Sequence, residues 1–196
     1  MDRLKQEIDF ILEIDKLKGV LRQSYLTVGD RRENSAEHSW HLATMALVLA
    51  EHATEAVDLP KVLKMLLIHD IVEIDAGDVF FYDAVGNVGK LDRERQAADR
   101  LFNLLPPDQA SEFRALWDEF EVRQSPEARF AAALDRLMPL FHNYQAKGRG
   151  WKEHGVTADQ VMDRCGSIAE GSPTLWKVAQ DLISDSVAKG YLAPAK

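Results

Sequence analysis

Residues 66–73, Leu-Leu-Ile-His-Asp-Ile-Val-Glu, constrain this chain more than any other stretch. They open as an apolar helix and then set an imidazole and two carboxylates among aliphatic side chains. On a 3.6-residue period His69 and Glu73 stack on one face, with Asp70 on the shoulder of Glu73. Charged groups buried at such a corner are costly unless something neutralises them, and a metal ion would. The plain alternative is a surface helix whose His and acids face water. The flanking Ile68, Ile71, Val72 and Ile74 argue against it.

Size and charge bound the rest. At 196 residues the chain fits one domain and can bury roughly 70% of its unfolded surface. A net charge of −8 argues against binding polymeric nucleic acid, which calls for a basic face. A small phosphorylated ligand stays open, because a metal or a few arginines can reverse the local field. Cys165 stands alone and cannot form an internal disulfide, and Asp2-Arg3-Leu4-Lys5 begins no signal-peptide apolar core. The expected location is therefore cytoplasmic. The longest apolar run, residues 42–50 with Thr44 inside it, is too short to span a bilayer, so no membrane association is expected.

Taken in order, the chain reads as helical throughout. Leu4, Ile8, Ile11, Leu12 and Ile14 predict a helix over residues 3–18, and residues 24–32 read as a loop. Asn34-Ser35-Ala36-Glu37 is a capping box opening a helix through His38, Trp40, His41, Met45, Leu49 and His52. Asp58 and Pro60 start the next helix, which is expected to carry His69 and Asp70. Residues 76–90, with Gly77, Gly86 and Gly89, form a long irregular segment of the kind that often serves as a lid or binding loop.

Helices are expected next over 91–105 and 108–122, and from Ser125-Pro126-Glu127 towards Lys147 with a kink near Pro139. Gly148 and Gly150 should end that one. Thr157-Ala158-Asp159-Gln160 is a second capping box, and Ser172-Pro173 opens a last helix ending by Gly190. With no alternating strand pattern, the expectation is an all-α, single-domain helical bundle over 1–196. Its site should lie within about 17–140, with the helices of 157–190 packed on it.

A metal site on His69 and Asp70 needs further ligands, nitrogen or oxygen given the single cysteine. His38 leads, His41 is its rival one turn on, and His52 reads as solvated. Asp135 interrupts the most apolar segment of the second half, between residues 130–134 and 137–141. A carboxylate there requires a cation, either an arginine such as Arg136 or the metal.

This constellation resembles the HD-domain metal-dependent phosphohydrolases, whose pattern is one His, a distant His-Asp doublet and a later Asp. Ser35-Ala36-Glu37-His38-Ser39 is similar to the motif around their first ligand. His69-Asp70-Ile71-Val72-Glu73 with Gly77-Asp78 resembles the H-D-x-x-E…G-D signature of the 5′-deoxynucleotidase branch. Leu17-Lys18-Gly19-Val20-Leu21-Arg22 resembles that branch's L-K-x-x-x-R element. The resemblance runs from the first helix to about Leu140.

The resemblance implies that His38, His69, Asp70 and Asp135 hold one divalent metal, and manganese, cobalt, iron, zinc or magnesium would each suit such donors. It implies that Glu73 orients or deprotonates the attacking water and that Asp78 lines the pocket and helps place the water or the leaving sugar. Arg22 would bind the phosphate, with Arg31 and Arg32 its rivals on spacing alone. The implied reaction is hydrolysis of (deoxy)nucleoside 5′-monophosphates, in a homodimer. One departure bears on the sugar: that branch tends to place an aromatic beside the arginine, and here Gln23 follows Arg22. His142 and His154 read as structural, and residues 151–154 as a loop. Two other readings are an HD-type phosphodiesterase with a second metal, for which His41 is the convenient extra ligand, and a non-catalytic metal-dependent nucleotide-binding regulator.

Overall fold

The computed structural model describes residues 2–83 and 85–195. Helix α1 (Arg3–Ile14) starts where the Asp2 side chain accepts from the Leu4 N–H, and it stops four residues short of the expected end. Residues Asp15–Gly19 tighten into a 3-10 turn that buries Leu17. Then the chain extends. Strands β1 (Leu21–Tyr25) and β2 (Arg32–Asn34) pair antiparallel, Leu21 opposite Asn34 and Tyr25 opposite Arg32, with a register shift between.

This hairpin corrects the expectation of a chain without strands, and it trims the expected loop over residues 24–32 to the six residues 26–31. The strands are five and three residues long and β1 has no clean inside–outside alternation, so no period-two signal reaches the sequence. The hairpin is closed by Leu26 N–H to the Arg31 carbonyl at 3.1 Å, and Ser35 N–H ties its exit to the Val20 carbonyl at 3.0 Å.

Helix α2 (Ser35–Leu49) opens on the expected capping box: Asn34 accepts from Glu37 N–H at 2.9 Å and Glu37 accepts from Asn34 N–H at 3.2 Å. A 3-10 turn follows over Ala50–His52. Helix α3 (Leu59–Ile68) is capped by Asp58 and holds Pro60 in its first turn.

The expected continuation of α3 through His69 and Glu73 does not occur. His69 is its C-cap, and the chain turns through i→i−3 bonds, Ile71 N–H to Ile68 and Glu73 N–H to Asp70, before the single turn of α4 (Glu73–Ala76). Residues 68–73 are all buried. A helix advancing 100° per residue would aim part of such a run at solvent, whereas the broken turn sends the whole run inward.

The described residues between Gly77 and α5 (Lys90–Phe102) are irregular as expected. Helices α6 (Pro107–Val122) and α7 (Pro126–Gln145) follow, and α7 passes through Pro139 without ending. Residues 151–154 are not a loop but part of α8 (Arg149–His154), which contains Gly150. Gly148 starts it with φ 75°, where a Cβ would lie 1.8 Å from the Tyr191 carbonyl oxygen, so only glycine fits there. Helices α9 (Ala158–Cys165), capped by the Thr157–Gln160 box, α10 (Ile168–Gly171) and α11 (Pro173–Ala188) complete the chain.

Helix α7 is the axis of the bundle. It packs against α2, α3, α6, α10 and α11, and Phe130, Leu134 and Leu137 bury completely against partners that include Leu42, Met65 and Leu66. Asp135 is carried to the edge of that packed centre, and His142 lies buried two turns further on.

Candidate metal centre and active site

Several elements deliver the polar groups. Capping by Asn34 brings Ser35 and His38, in the first turn of α2, fully inside. Helix α7 brings Asp135 beneath them. The turn between α3 and α4 supplies His69, Asp70 and Glu73, and β1 supplies Arg22.

The two imidazoles converge on one carboxylate. His38 Nε2 lies 3.0 Å from Asp135 Oδ1, and His69 Nε2 lies 3.8 Å from the same oxygen. His69 Nε2 is also 3.1 Å from Asp70 Oδ1. His69 Nδ1 sits 2.9 Å from the Leu66 carbonyl, which can only accept, so Nδ1 carries the hydrogen and the neutral ring presents a bare lone pair at Nε2. That Nε2 is buried and has no hydrogen-bond partner. A buried, aimed and unpartnered nitrogen is what a metal ligand presents, and ligand atoms of His38, His69 and Asp135 all fall within 4.8 Å of one another.

Charge points the same way. Arg22 Nη1 donates to Asp70 Oδ2 at 2.6 Å and lies 3.9 Å from both Glu73 and Asp78. Its Nη2 is 3.9 Å from Asp135 and its Nε 3.9 Å from Glu33. One guanidinium thus faces Glu33, Asp70, Glu73, Asp78 and Asp135, an excess of negative charge that a divalent cation would offset.

The proton affinities of the clustered groups follow from that excess. Burial and the charge of Asp70 push Glu73 up to about 8, against the pull of Arg22 and of Ser35, whose Oγ donates to Glu73 Oε2 at 2.6 Å. Burial raises Asp78 as well, opposed by Arg22. Burial alone would lower His69, but Asp70 and Asp135 outweigh it and raise the imidazole to about 9. Burial would raise Asp135, yet His38 and His69 hold it well below the usual carboxylate range. Desolvation would lower Arg22, and the surrounding carboxylates keep it firmly protonated.

The residues read from the sequence therefore meet: His38, His69, Asp70, Asp135, Glu73, Asp78 and Arg22 share one site. Their rivals do not. Arg31 is tied to Glu37 through both terminal nitrogens, at 2.9 and 2.6 Å, and Arg32 stacks over Tyr25. His41 is exposed and His154 packs on Phe80. His142 is buried, as a structural histidine would be.

A cavity opens beside the polar cluster, with an aromatic wall of Phe80, Phe81 and Tyr82 from the segment after Gly77, Phe120 from α6 and Trp151 from α8. Arg136, the bland partner for Asp135, lies 4.0 Å over the Phe81 ring and 3.8 Å from Asp135. Sequence reasoning missed Glu33, Ser35 and Trp151. Ser35 was visible as the residue after an N-cap, but Glu33 depends on the hairpin and Trp151 on α8, neither of which had a local signal.

A helical scaffold with a His, a His-Asp turn and a distant Asp around one point defines a class. The chain belongs to the HD domain family, whose model matches residues 14–176. It is similar to the 5′-deoxynucleotidase HDDC2 of Bos taurus, 32% identical over 130 residues, which are 66% of this chain and 62% of that protein. The 5′-deoxynucleotidase hdd1 of Schizosaccharomyces pombe is 24% identical over 156 residues, covering 74% of this chain and 76% of the relative. The chain thus spans about 62% of the bovine relative's length. Among solved structures, a predicted metal-dependent phosphohydrolase from Magnetospirillum magnetotacticum MS-1 superposes with a TM-score of 0.94 and 56% identity, over 98% of this chain and 96% of that one.

Proposed function

We propose that this chain is a metal-dependent phosphomonoesterase acting on nucleoside 5′-monophosphates, deoxynucleotides included. The observation that carries the reading is the convergence of the His38 and His69 Nε2 atoms on Asp135, with Glu73 buried alongside. His38, His69, Asp70 and Asp135 would hold one divalent ion, and manganese, cobalt, iron, zinc or magnesium would suit that mixed set. Such an ion would supply Lewis acidity towards a phosphoryl oxygen and towards water.

The chain's own residues do the rest. Glu73, fixed by Ser35, takes a proton from the attacking water as the new O–P bond forms. The P–O5′ bond breaks on the far side, and the departing 5′-oxygen takes its proton from solvent water there, leaving nucleoside and phosphate. Arg22 offers its guanidinium to the non-bridging oxygens, where charge accumulates in the transition state. Asp78, 3.9 Å from Arg22 Nη1, lines the cavity and helps place the water or the sugar. The aromatic wall, Trp151 included, gives a base and a sugar an apolar face to pack on.

The relatives' names support this reading of the substrate, and their incomplete overlap keeps it a proposal. Among the described residues no helix is long and apolar enough to cross a membrane, and we propose a cytoplasmic enzyme. A second copy of the chain is the proposed partner for the outer face of α2, where Trp40, Leu47 and Val48 stand exposed.

Phosphate release from ribo- and deoxynucleoside monophosphates, assayed beside a cyclic dinucleotide with manganese or cobalt added, tests the proposal. Turnover of monophosphates alone is expected. Hydrolysis of the cyclic dinucleotide alone would make it a phosphodiesterase, and metal-dependent binding without turnover would make it a regulator.

A further inference from the structure

Behind His38, on the side away from Asp135, lies a carboxylate that the proposed chemistry does not use. Glu33 is the central residue of β2, and the strand's alternation turns it inward while Arg32 and Asn34 stay partly exposed. It is 1% exposed. Its Oε2 lies 3.3 Å from His38 Nδ1, 3.7 Å from His142 Nδ1 and 3.9 Å from Arg22 Nε. All four of these atoms are buried and none has a hydrogen-bond partner. An acceptor oxygen is thus surrounded by three nitrogens, each able to carry a hydrogen towards it.

We infer that Glu33 is the positioning residue of this site: it takes the Nδ1 hydrogen of His38, so that Nε2 faces the ion as a lone pair, and it braces Arg22 from the same oxygen. The inference rests on the reading of His38 as a metal ligand. A histidine that binds a metal through one nitrogen is oriented by what the other nitrogen donates to, commonly a carboxylate. His69 has such a partner in the Leu66 carbonyl. Among the described residues Glu33 is the carboxylate within reach of His38 Nδ1. Its contact with Arg22 Nε ties the phosphate-binding arm to the same anchor, so one side chain sets both metal ligand and substrate cation.

A different use of the same atoms has to be weighed. Ligand atoms of Glu33, His41 and His142 lie within 4.8 Å of one another and could make a second cation site. His41 is exposed, however, and Glu33 already faces Arg22, a cation that would repel a second one. Two-metal phosphoesterases also keep their ions roughly 3.5–4 Å apart with both facing the substrate. This group faces the opposite side of His38 from Asp135.

Zinc affinity of the full chain, measured by competition with a chromophoric chelator, tests the inference. The proteins are wild type, Glu33→Gln, Glu33→Asp and His69→Ala. Glu33→Gln keeps the shape but not the charge, and it should bind zinc about 10- to 100-fold more weakly, with Glu33→Asp recovering part of the loss. Glu33→Gln with wild-type affinity, beside a His69→Ala protein that has lost zinc, would overturn the role of Glu33 and leave the metal centre intact. A wild type that binds no zinc would overturn both. Two zinc ions per chain, one removed by His41→Ala, would make Glu33 a ligand instead. If Glu33→Gln does not fold, the ¹⁵N-histidine spectrum of zinc-loaded wild type decides. His38 should carry its hydrogen on Nδ1, and a His38 protonated on Nε2 would overturn the inference.

Discussion

Ser35 Oγ donates a 2.6 Å hydrogen bond to Glu73 Oε2, joining the first residue of α2 to the first residue of α4. Both side chains are buried. The bond stabilises the charged carboxylate, opposing the burial and the Asp70 charge that push Glu73 up to about 8. The residue proposed as the base is therefore held in one orientation by a serine whose own place is set by the N-cap beside it.

In the proposed mechanism Glu73 serves the water and not the metal, so Glu73→Ala should keep the ion and lose turnover. A fall of about 10²–10⁴-fold is expected, the range of a general acid–base group. Metal analysis and kcat on the same preparation check it. A variant that loses metal together with activity would make Glu73 a ligand.

His69→Ala and Asp70→Ala should each lose both metal and activity, because each leaves the proposed ligand set one donor short. His69→Ala should also lower the melting temperature, since Asp135 would keep a buried charge with one imidazole fewer, and Asp70→Ala should do so by leaving Arg22 without its hydrogen-bonded carboxylate. Full metal occupancy in purified His69→Ala protein would show the site to be misassigned.

Arg22→Ala should raise KM, and lower kcat as well if the contact tightens in the transition state. Losing a charge-assisted bidentate contact costs roughly 2–4 kcal/mol, so kcat/KM should drop roughly 30- to 1000-fold while metal stays bound. Arg22→Lys should recover only part, because an ammonium cannot reproduce the planar fork. Wild-type kinetics in both variants on a nucleoside 5′-monophosphate would move the phosphate elsewhere.

The metal-free protein should lose stability as pH rises. Glu73 goes from an ordinary 4.5 to about 8 and His69 from 6.5 to about 9. Both groups hold more protons folded than unfolded across those windows, so the slope of unfolding free energy with pH is negative there. With chelator present, the melting temperature should decline between roughly pH 5 and pH 9, from these two shifts. Added zinc should reverse the trend, since its ligands must shed protons to bind. A flat profile with chelator would mean that the folded chain does not perturb these groups.

The local chemistry of this chain was legible in its residues. Asn34 with Glu37 and Thr157 with Gln160 announce helix starts because capping is settled within four residues. The helical period of the apolar positions announces most of the bundle, and Asp135 stands out because a lone carboxylate in an apolar run requires a cation. The family pattern named His38, His69 and Asp70 without any geometry.

Tertiary structure decided the rest. Nothing local ends α3 at Ile68. The chain turns there because six consecutive side chains must all face inward, and that demand comes from the helices packed around them. The β1–β2 hairpin is too short to leave a period in the sequence, yet it places Arg22 among the carboxylates and sends Glu33 behind His38. Trp151 joins the cavity wall only because α8 folds back against β1 and α7. Capping and periodicity are interactions between near neighbours, which a sequence displays. The proximity of Ser35 to Glu73 exists only after segments 38 residues apart pack together, and Glu33 turns in behind its near neighbour His38 only because β2 pairs with β1.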